Sequence, residues 1–189
     1  MRSRQIFIAT LALLTFHVAH ADTKFDGYLC CNMRSDGSWI SDINYIEDGK
    51  KLIPAGTPLK VTGQGRQRVY VEILGSKQAL GNDYSRDLNL DAFAARYVVR
   101  EDPTLKLAAY PENIRAAIAA ARLTPGMTRE QVFMAVGYPV TSENPSLAAS
   151  PLRFWTSSFA EFRVNFDERG LMTDIFATPE TKSLVLYTP

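Results

Sequence analysis

The chain has 189 residues, of which 46% are hydrophobic and 22% are charged, and its formal net charge at pH 7 is +1. This composition is ordinary for a globular protein, and the near balance of charges leaves no electrostatic basis for binding nucleic acid. The length suits one domain or two small ones.

The first 21 residues have the features of a secretory signal peptide. Arg2 and Arg4 precede an apolar stretch at 6–16, and Ala19-His20-Ala21 is a small-x-small cleavage site. We expect cleavage after Ala21 and export to the periplasm, with the protein either free there or peripheral to the outer membrane. Because the apolar stretch is short, we expect no transmembrane anchor.

Both histidines of the chain, His17 and His20, lie in this predicted signal peptide. The exported chain would then lack imidazole, which excludes Ser-His-Asp and Cys-His nucleophilic pairs and removes the commonest zinc ligand. It would carry 19 basic and 20 acidic residues. We therefore expect a protein that is not an enzyme, that uses no metal or other cofactor, and that has no nucleic acid partner.

The only two cysteines of the chain, Cys30 and Cys31, stand side by side in the stretch YLCCNMR. Its alternation predicts a strand through Cys31, with Cys31 facing inward and Cys30 outward. In an oxidising compartment three states stay open: a buried structural Cys31 with a tolerated Cys30, a bond between the neighbours, and a bond to another chain. The pair is our candidate for redox or disulfide chemistry. We expect no lipid anchor, because charged residues separate the cysteines from the apolar stretch.

Short strands divided by glycine and proline are predicted in the first half of the chain. The predicted strands are the one through Cys31 and those near 39–45, 59–62, 69–73 and 78–80. A tight reversal is expected at 63–66. The stretch IPAGTPLKV resembles a bacterial SH3-like barrel, which implies a small β domain over 22–102.

A short helix is predicted at the end of this β domain, at 90–99, with Asn89 or Asp91 as its N-cap. Asp102-Pro103 should break that helix, because the residue before proline disfavours helical backbone. We place the domain boundary there, so that the second domain covers 103–189.

Two helices and three strands are predicted in the second domain. The stretch PENIRAAIAAAR at 111–122 indicates one helix; Thr128-Arg129-Glu130-Gln131 is a capping box that begins another, and Gly137 ends it. Alternating residues at 152–157, 162–166 and 171–176 indicate strands, with a turn at 167–170. Two helices packed on a three-stranded antiparallel sheet, and an α+β class for the whole chain, are the expected result.

The stretches LTPGMTREQVFMAVGYP, LRFWTS and FRVNFDERGLMTDI, in this order, resemble the SmpA/OmlA domain family, whose domain occurs in BamE of the outer-membrane β-barrel assembly machinery. The resemblance covers about 114–176. It implies a module that binds other proteins and does no chemistry. The chain differs from BamE because it has no lipidated cysteine and carries an additional β domain. The first half is similar to an envelope family that joins such a barrel to a BamE-like module.

Trp155, Met172 and Phe176 are candidates for partner binding, because an apolar sheet face left open on a secreted domain usually meets another protein; the alternative is that the β domain covers this face. Met127 is a further candidate for partner binding. Three basic residues near the predicted reversal are candidates for binding an anion or peptidoglycan: Lys60, Arg66 and Arg68. We expect a non-enzymatic binding or scaffolding protein whose partners are other envelope proteins, with peptidoglycan as another candidate ligand. The alternative is a redox-responsive or disulfide-linked protein that works through Cys30 and Cys31.

Overall fold

A computed structural model describes residues 24–188 of the chain. The predicted signal peptide and both histidines lie outside these residues. The fold is of the mixed α+β class, with a curled six-stranded sheet, several helices and a C-terminal three-stranded antiparallel sheet. The α+β prediction is therefore confirmed.

In the first half of the chain, most of the strands belong to one sheet. The elements of this half are β1 (Phe25–Leu29), β2 (Met33–Ser35), β3 (Trp39–Ser41), β4 (Lys51–Ile53), β5 (Pro58–Gly65), β6 (Arg68–Ile73), β7 (Ser76–Gly81), α1 (Leu90–Tyr97) and β8 (Val98–Val99). The six-stranded sheet has the order β3-β7-β6-β5-β1-β8, while β2 and β4 pair with each other as a separate ribbon. We call these elements the N-terminal lobe.

Several predicted bounds of this lobe were wrong. The first strand ends at Leu29 and does not run through Cys31. The predicted reversal at 63–66 is shifted, because β5 continues to Gly65, which pairs with Arg68 across a two-residue turn. Gln67 takes a positive φ of 53° in that turn. The strand predicted at 39–45 is only three residues long and pairs in parallel with β7.

The helix that ends this lobe begins as predicted. Asn89 is its N-cap and accepts a hydrogen bond from the Ala92 N–H group at 2.8 Å. It ends at Tyr97, because Val98 and Val99 leave the helix to pair with β1 as an edge strand. Asp102 does not break a helix but begins one, since its carboxylate accepts from the Thr104 N–H group.

The second half contains the other elements, which we call the C-terminal lobe: α2 (Pro103–Ala108), α3 (Glu112–Ala119), α4 (Arg129–Val136), β9 (Leu152–Ser157), β10 (Ala160–Phe166), β11 (Met172–Phe176) and α5 (Pro179–Val185). The three strands form an antiparallel sheet in the order β11-β10-β9. The predicted strands and helix α4 are confirmed, while α3 is shorter than the predicted 111–122, because the chain leaves the helix after Ala119 and Ala121 takes a positive φ of 51°. The helices α2 and α5 were not predicted from the sequence.

The capping box of α4 is confirmed. Thr128 accepts a hydrogen bond from the Gln131 N–H group, and the Gln131 side chain accepts one from the Thr128 N–H group. Gly137 is the C-cap, with φ 87° and ψ 171°. These local bonds satisfy groups that a helix end otherwise leaves without partners.

Each lobe has its own hydrophobic core. The N-terminal core lies between the curled sheet and α1, and the C-terminal core lies between the three-stranded sheet and its helices. Ala55 belongs to the C-terminal core although it follows β4, and Tyr138 packs against both cores. The two lobes are therefore in direct contact along a seam.

Candidate functional site

The two cysteines are bonded to each other. The chain turns directly after β1, and both side chains are buried, with 8% of Cys30 and 1% of Cys31 exposed. The expected outward position of Cys30 is thus wrong, because the period-2 geometry of a strand does not continue beyond Leu29. Among the three states that the sequence left open, this structure has the bond between neighbours.

The cysteine pair lies where the two lobes meet. The Cys30 N–H group donates to the carbonyl of Tyr97 at 3.0 Å, which holds the pair beside the end of α1. Two residues later, the Asn32 N–H group donates to the carbonyl of Met134 in α4 at 2.9 Å. The segment 30–32 therefore joins an N-terminal helix to a C-terminal one through backbone hydrogen bonds.

The buried side chain of Asn32 strengthens this seam. Its amide donates to the carbonyls of Ile118 at 2.6 Å and Ala135 at 3.1 Å, and its oxygen accepts from the Ala55 N–H group at 2.9 Å. All three partners are buried backbone groups. Because buried polar groups are costly to leave unpaired, these bonds hold the lobes in one arrangement.

A second buried amide, that of Asn44, lies beside the first. Its nitrogen donates to the carbonyls of Asn32 at 3.0 Å and Val136 at 2.8 Å, and its oxygen accepts from the Arg34 N–H group. Asn44 has a φ of 57°, a left-handed conformation that asparagine adopts more readily than most residues. The two asparagines together fix the end of α4 against the N-terminal lobe.

A cleft of about 420 Å³ opens beside the cysteine pair. Its walls are mostly apolar and come from both lobes: Cys30, Cys31, Val99, Phe133, Met134 and Tyr138. Pro103 and Leu105 of α2 also line the cleft, and we call its exposed residues Leu105 and Glu101 the mouth. Leu105 is 75% exposed, and every residue of α2 is at least partly exposed, so this helix covers little of the core.

The charged residues that line the cleft are mostly acidic: Glu101, Asp102 and Glu130 against Lys106. The Lys106 ammonium lies 2.6 Å from the Glu130 carboxylate, and its hydrogen bond to that carboxylate raises the pKa of Lys106. Both side chains are more than half exposed, so this ion pair adds little to stability. A ligand that offers its own charge can therefore replace it at small cost.

The aromatic wall of the cleft is ordered by ring contacts. The Tyr138 ring lies 4.9 Å from that of Phe133 and 5.9 Å from that of Tyr97, measured between centroids. The Arg96 guanidinium lies over the Tyr138 ring at 5.3 Å. Burial raises the pKa of the Tyr138 hydroxyl, so the ring is neutral at physiological pH. The rings of the wall are thus uncharged and preformed, with the cationic Arg96 beside Tyr138.

The cysteine bond makes a direct prediction for thiol labelling. When the unreduced protein is unfolded and treated with N-ethylmaleimide, the mass should stay that of the unlabelled monomer, because both sulfurs are bonded within the chain. After treatment with a dithiol reductant, two labels should be added. Two labels without reductant, or a dimer on a non-reducing gel, would contradict the structure.

A buried carboxyl lies outside the cleft, in the turn after β3. Asp42 is 1% exposed and accepts hydrogen bonds from the backbone N–H groups of Asp83 and Tyr84, each at 3.2 Å. Burial, which disfavours the charged form, raises the pKa of Asp42 from 3.8 to about 6. The folded protein therefore holds this proton more tightly than the unfolded chain does.

This shift predicts a pH-dependent stability. The pKa of Asp42 is higher in the folded protein than in the unfolded chain. Protonated Asp42 therefore contributes fully to the free energy of unfolding only below its unfolded pKa of 3.8, and this contribution is lost as the pH rises through about 6. Between pH 7 and pH 5 the free energy of unfolding of the native protein should rise by about 1 kcal/mol relative to that of Asp42→Asn. Urea unfolding at both pH values measures this difference, and parallel pH profiles would refute it.

The partner-binding candidates occupy different environments. Met127 and Met172 are buried in the C-terminal core, so neither lies on an open face: Met127 precedes the α4 cap and Met172 belongs to β11. Trp155 is half-buried on β9, and Phe176 is exposed at the end of β11. The sequence analysis missed Phe159, which is 98% exposed in the turn between β9 and β10.

The three basic candidates do not form one cluster. Lys60 pairs with Glu72 in the sheet, five residues before Gly65 on the same strand, which corresponds to about 16 Å. Arg68 lies over the Trp39 ring at 4.9 Å, and its Nε donates to the carbonyl of Arg66. Arg66 and Arg68 are thus neighbours, while Lys60 is remote from both.

The cleft itself was missed by the sequence analysis. Neither Phe133 nor Tyr138 was a candidate site residue, and Asp102-Pro103 was interpreted only as a helix breaker. Asn32 lies next to the cysteines in the stretch YLCCNMR, but no local pattern of the sequence predicts its buried position.

Further structural features bear on the class of protein. Among residues 24–188, three or more His, Cys, Asp or Glu side chains nowhere come together as a metal site. In the same part of the chain, every helix is too short or too polar to cross a membrane. Comparisons of the chain with protein-family models, with curated proteins and with solved structures found no match.

Proposed function

We propose that this chain is a non-enzymatic binding or scaffolding protein of the bacterial cell envelope, and that other envelope proteins dock in the cleft between its lobes. The observation that carries the proposal is the preformed cleft of about 420 Å³, whose apolar walls come from both lobes. Protein sites that bind ligands are typically concave, mostly apolar and already formed in the free protein.

The seam explains why the cleft needs no ligand to keep its shape. Asn32 and Asn44 make six side-chain hydrogen bonds to backbone groups, and two of these, to the carbonyls of Ala135 and Val136, hold α4 against the N-terminal lobe. A rigid site loses less conformational entropy on binding than a mobile one. The arrangement suits a scaffold, which must present one surface to its partner.

The proposed place in the envelope has two supports. The N-terminal sequence has the features of an export signal, and a bond between Cys30 and Cys31 is stable in an oxidising compartment such as the periplasm. The finer description of the fold, an SH3-like barrel followed by a BamE-like domain, remains part of this proposal. It is supported by the curled sheet of the first half and by the helices and three-stranded sheet of the second.

Photocrosslinking in intact cells tests the proposal. Leu105 at the cleft mouth is replaced by the photoreactive amino acid benzoylphenylalanine, and matched proteins carry the same replacement at Leu184 on α5 or at Phe159 in the β9–β10 turn. We expect an adduct of discrete mass from position 105 and none from 184. Adducts from 159 but not from 105 would place docking elsewhere, and no specific adduct would refute the scaffold proposal.

A second candidate function is favoured by the position of the cysteine bond in the cleft wall. A dithiol that enters the cleft could reduce this bond to two thiols while being oxidised to a disulfide itself, and the altered wall would change binding. The double variant Cys30→Ser with Cys31→Ser separates the two functions. If the protein is a scaffold, the double variant should keep its position-105 adduct. If the protein is redox-responsive, dithiothreitol should change the adduct of the native protein and should not change that of the double variant.

A further inference from the structure

We propose that the ligand of the cleft is an extended peptide segment in which a bulky apolar side chain stands beside a lysine or arginine. The inference rests on the proposed docking function and adds the chemical class of the segment that docks. It follows from three features of the cleft: its apolar walls, the sign of its charged residues and the strand at its edge.

The apolar walls define the first part of the ligand. Phe133, Tyr138 and Met134 line the same cleft as the bonded cysteines. Sulfur atoms make favourable contacts with aromatic rings, and a thioether side chain adapts its shape to what packs against it. A large aromatic or branched aliphatic side chain therefore finds contacts here that a small polar one does not.

The charges around the cleft define the second part. Three carboxylates and one ammonium group line it, although the whole chain has a net charge of only +1. One carboxylate, that of Asp102, is used as the N-cap of α2, and that of Glu130 pairs with Lys106 in solvent. A basic side chain at the mouth can bind Glu101 and compete for Glu130, whereas an acidic one meets repulsion.

The edge of the sheet favours a polypeptide as the occupant. The strand β8 is the outermost strand of the six-stranded sheet, and its residue Val99 lines the cleft. The Val98 N–H group already donates to the Ala94 carbonyl of α1, so an extended peptide added to this edge would pair only with the remaining main-chain groups while its side chains enter the neighbouring cleft. The apolar side chain would then enter the cleft, and the adjacent basic one would stay at the charged mouth.

Two exposed residues allow the inference to be tested without loss of folding. Leu105 is 75% exposed, so Leu105→Ser removes an apolar contact at the mouth and leaves the core unchanged. Glu101 is exposed, so Glu101→Lys reverses one charge of the mouth. Matched controls are Leu184→Ser on α5 and Glu168→Lys in the turn before β11, because neither residue lines the cleft.

The experiment selects random dodecapeptides, displayed on phage, for binding to the purified protein comprising residues 22–189. We expect enrichment of peptides that place Phe, Trp, Leu or Ile next to Lys or Arg. For a synthetic copy of the most enriched peptide, fluorescence anisotropy should give a dissociation constant raised about tenfold by Leu105→Ser and by Glu101→Lys. The controls should change it less than twofold, and added salt should weaken binding.

Three results would overturn the inference: no enrichment, enrichment of acidic peptides, or equal binding by the mouth variants and their controls. The crosslinking experiment from position 105 is independent of these results. A position-105 adduct together with failed peptide selection would leave the docking function standing and remove only the peptide class. Loss of both would remove the docking function as well.

Discussion

Replacing Asn32 with alanine should lower the free energy of unfolding by about 3 to 5 kcal/mol. The Asn32 side chain is the partner of the Ala55 N–H group and of the carbonyls of Ile118 and Ala135, all of which are buried. In the variant, the Ile118 carbonyl keeps a hydrogen bond from the Ala121 N–H group, but the Ala55 N–H group and the Ala135 carbonyl lose the Asn32 side chain as their partner. Each buried group left without a partner costs about 1 to 3 kcal/mol, and urea unfolding followed by circular dichroism measures the sum.

Two further variants make this prediction specific. In Asn165→Ala the lost bond is the exposed one to Asp174, so the expected loss is below about 1 kcal/mol. In Asn32→Asp the acceptor for the Ala55 N–H group remains, but an anionic oxygen would face the carbonyls of Ile118 and Ala135. This variant should be at least as unstable as Asn32→Ala at neutral pH. Equal stabilities for Asn32→Ala and Asn165→Ala would show that the seam contributes little.

Replacing Gly137 with alanine should lower the free energy of unfolding by about 2 to 4 kcal/mol. Its backbone, with φ 87° and ψ 171°, lies in a region that essentially only glycine occupies. An added Cβ would also approach the Asn44 amide nitrogen to 3.1 Å and the Met33 sulfur to 3.2 Å. The substitution therefore strains the helix end and the seam together, and urea unfolding measures the effect.

The matched control for this prediction is Gly75→Ala. Gly75 also has a positive φ, of 74°, but a Cβ there would meet nothing within 4 Å. Only the backbone cost remains, which is about 1 kcal/mol for an ordinary left-handed residue. If both glycine variants lose the same stability, the contacts of the added Cβ with Asn44 and Met33 do not contribute to the loss.

These variants also connect stability with the proposed function. Gly137 is followed by Tyr138, which forms part of the cleft wall, and Asn32 follows the cysteine pair. Damage to the seam should therefore weaken the position-105 crosslink even under conditions in which the variants stay folded. In contrast, Asp42 lies outside the cleft, so Asp42→Asn should leave the position-105 crosslink unchanged.

The sequence alone determined the elements whose bonds are local. The capping box of α4 joins Thr128 to Gln131, three residues away, and Gly137 ends the same helix because no other residue suits its backbone. The strands β9, β10 and β11 were also predicted, since alternation and a short turn leave adjacent strands antiparallel. Each of these features depends on residues close together in the chain.

The tertiary structure decided the seam and the cleft. Asn32 binds the carbonyls of Ile118 and Ala135, which are 86 and 103 residues away, and no local pattern predicts such partners. The same holds for the cysteines: alternation assigned them to opposite faces of a strand, but the backbone contacts with Tyr97 and Met134 turn the chain at this point. Local hydrogen bonds and periodicity therefore specify the helices and strands, whereas the site arises where buried polar groups of two lobes satisfy each other.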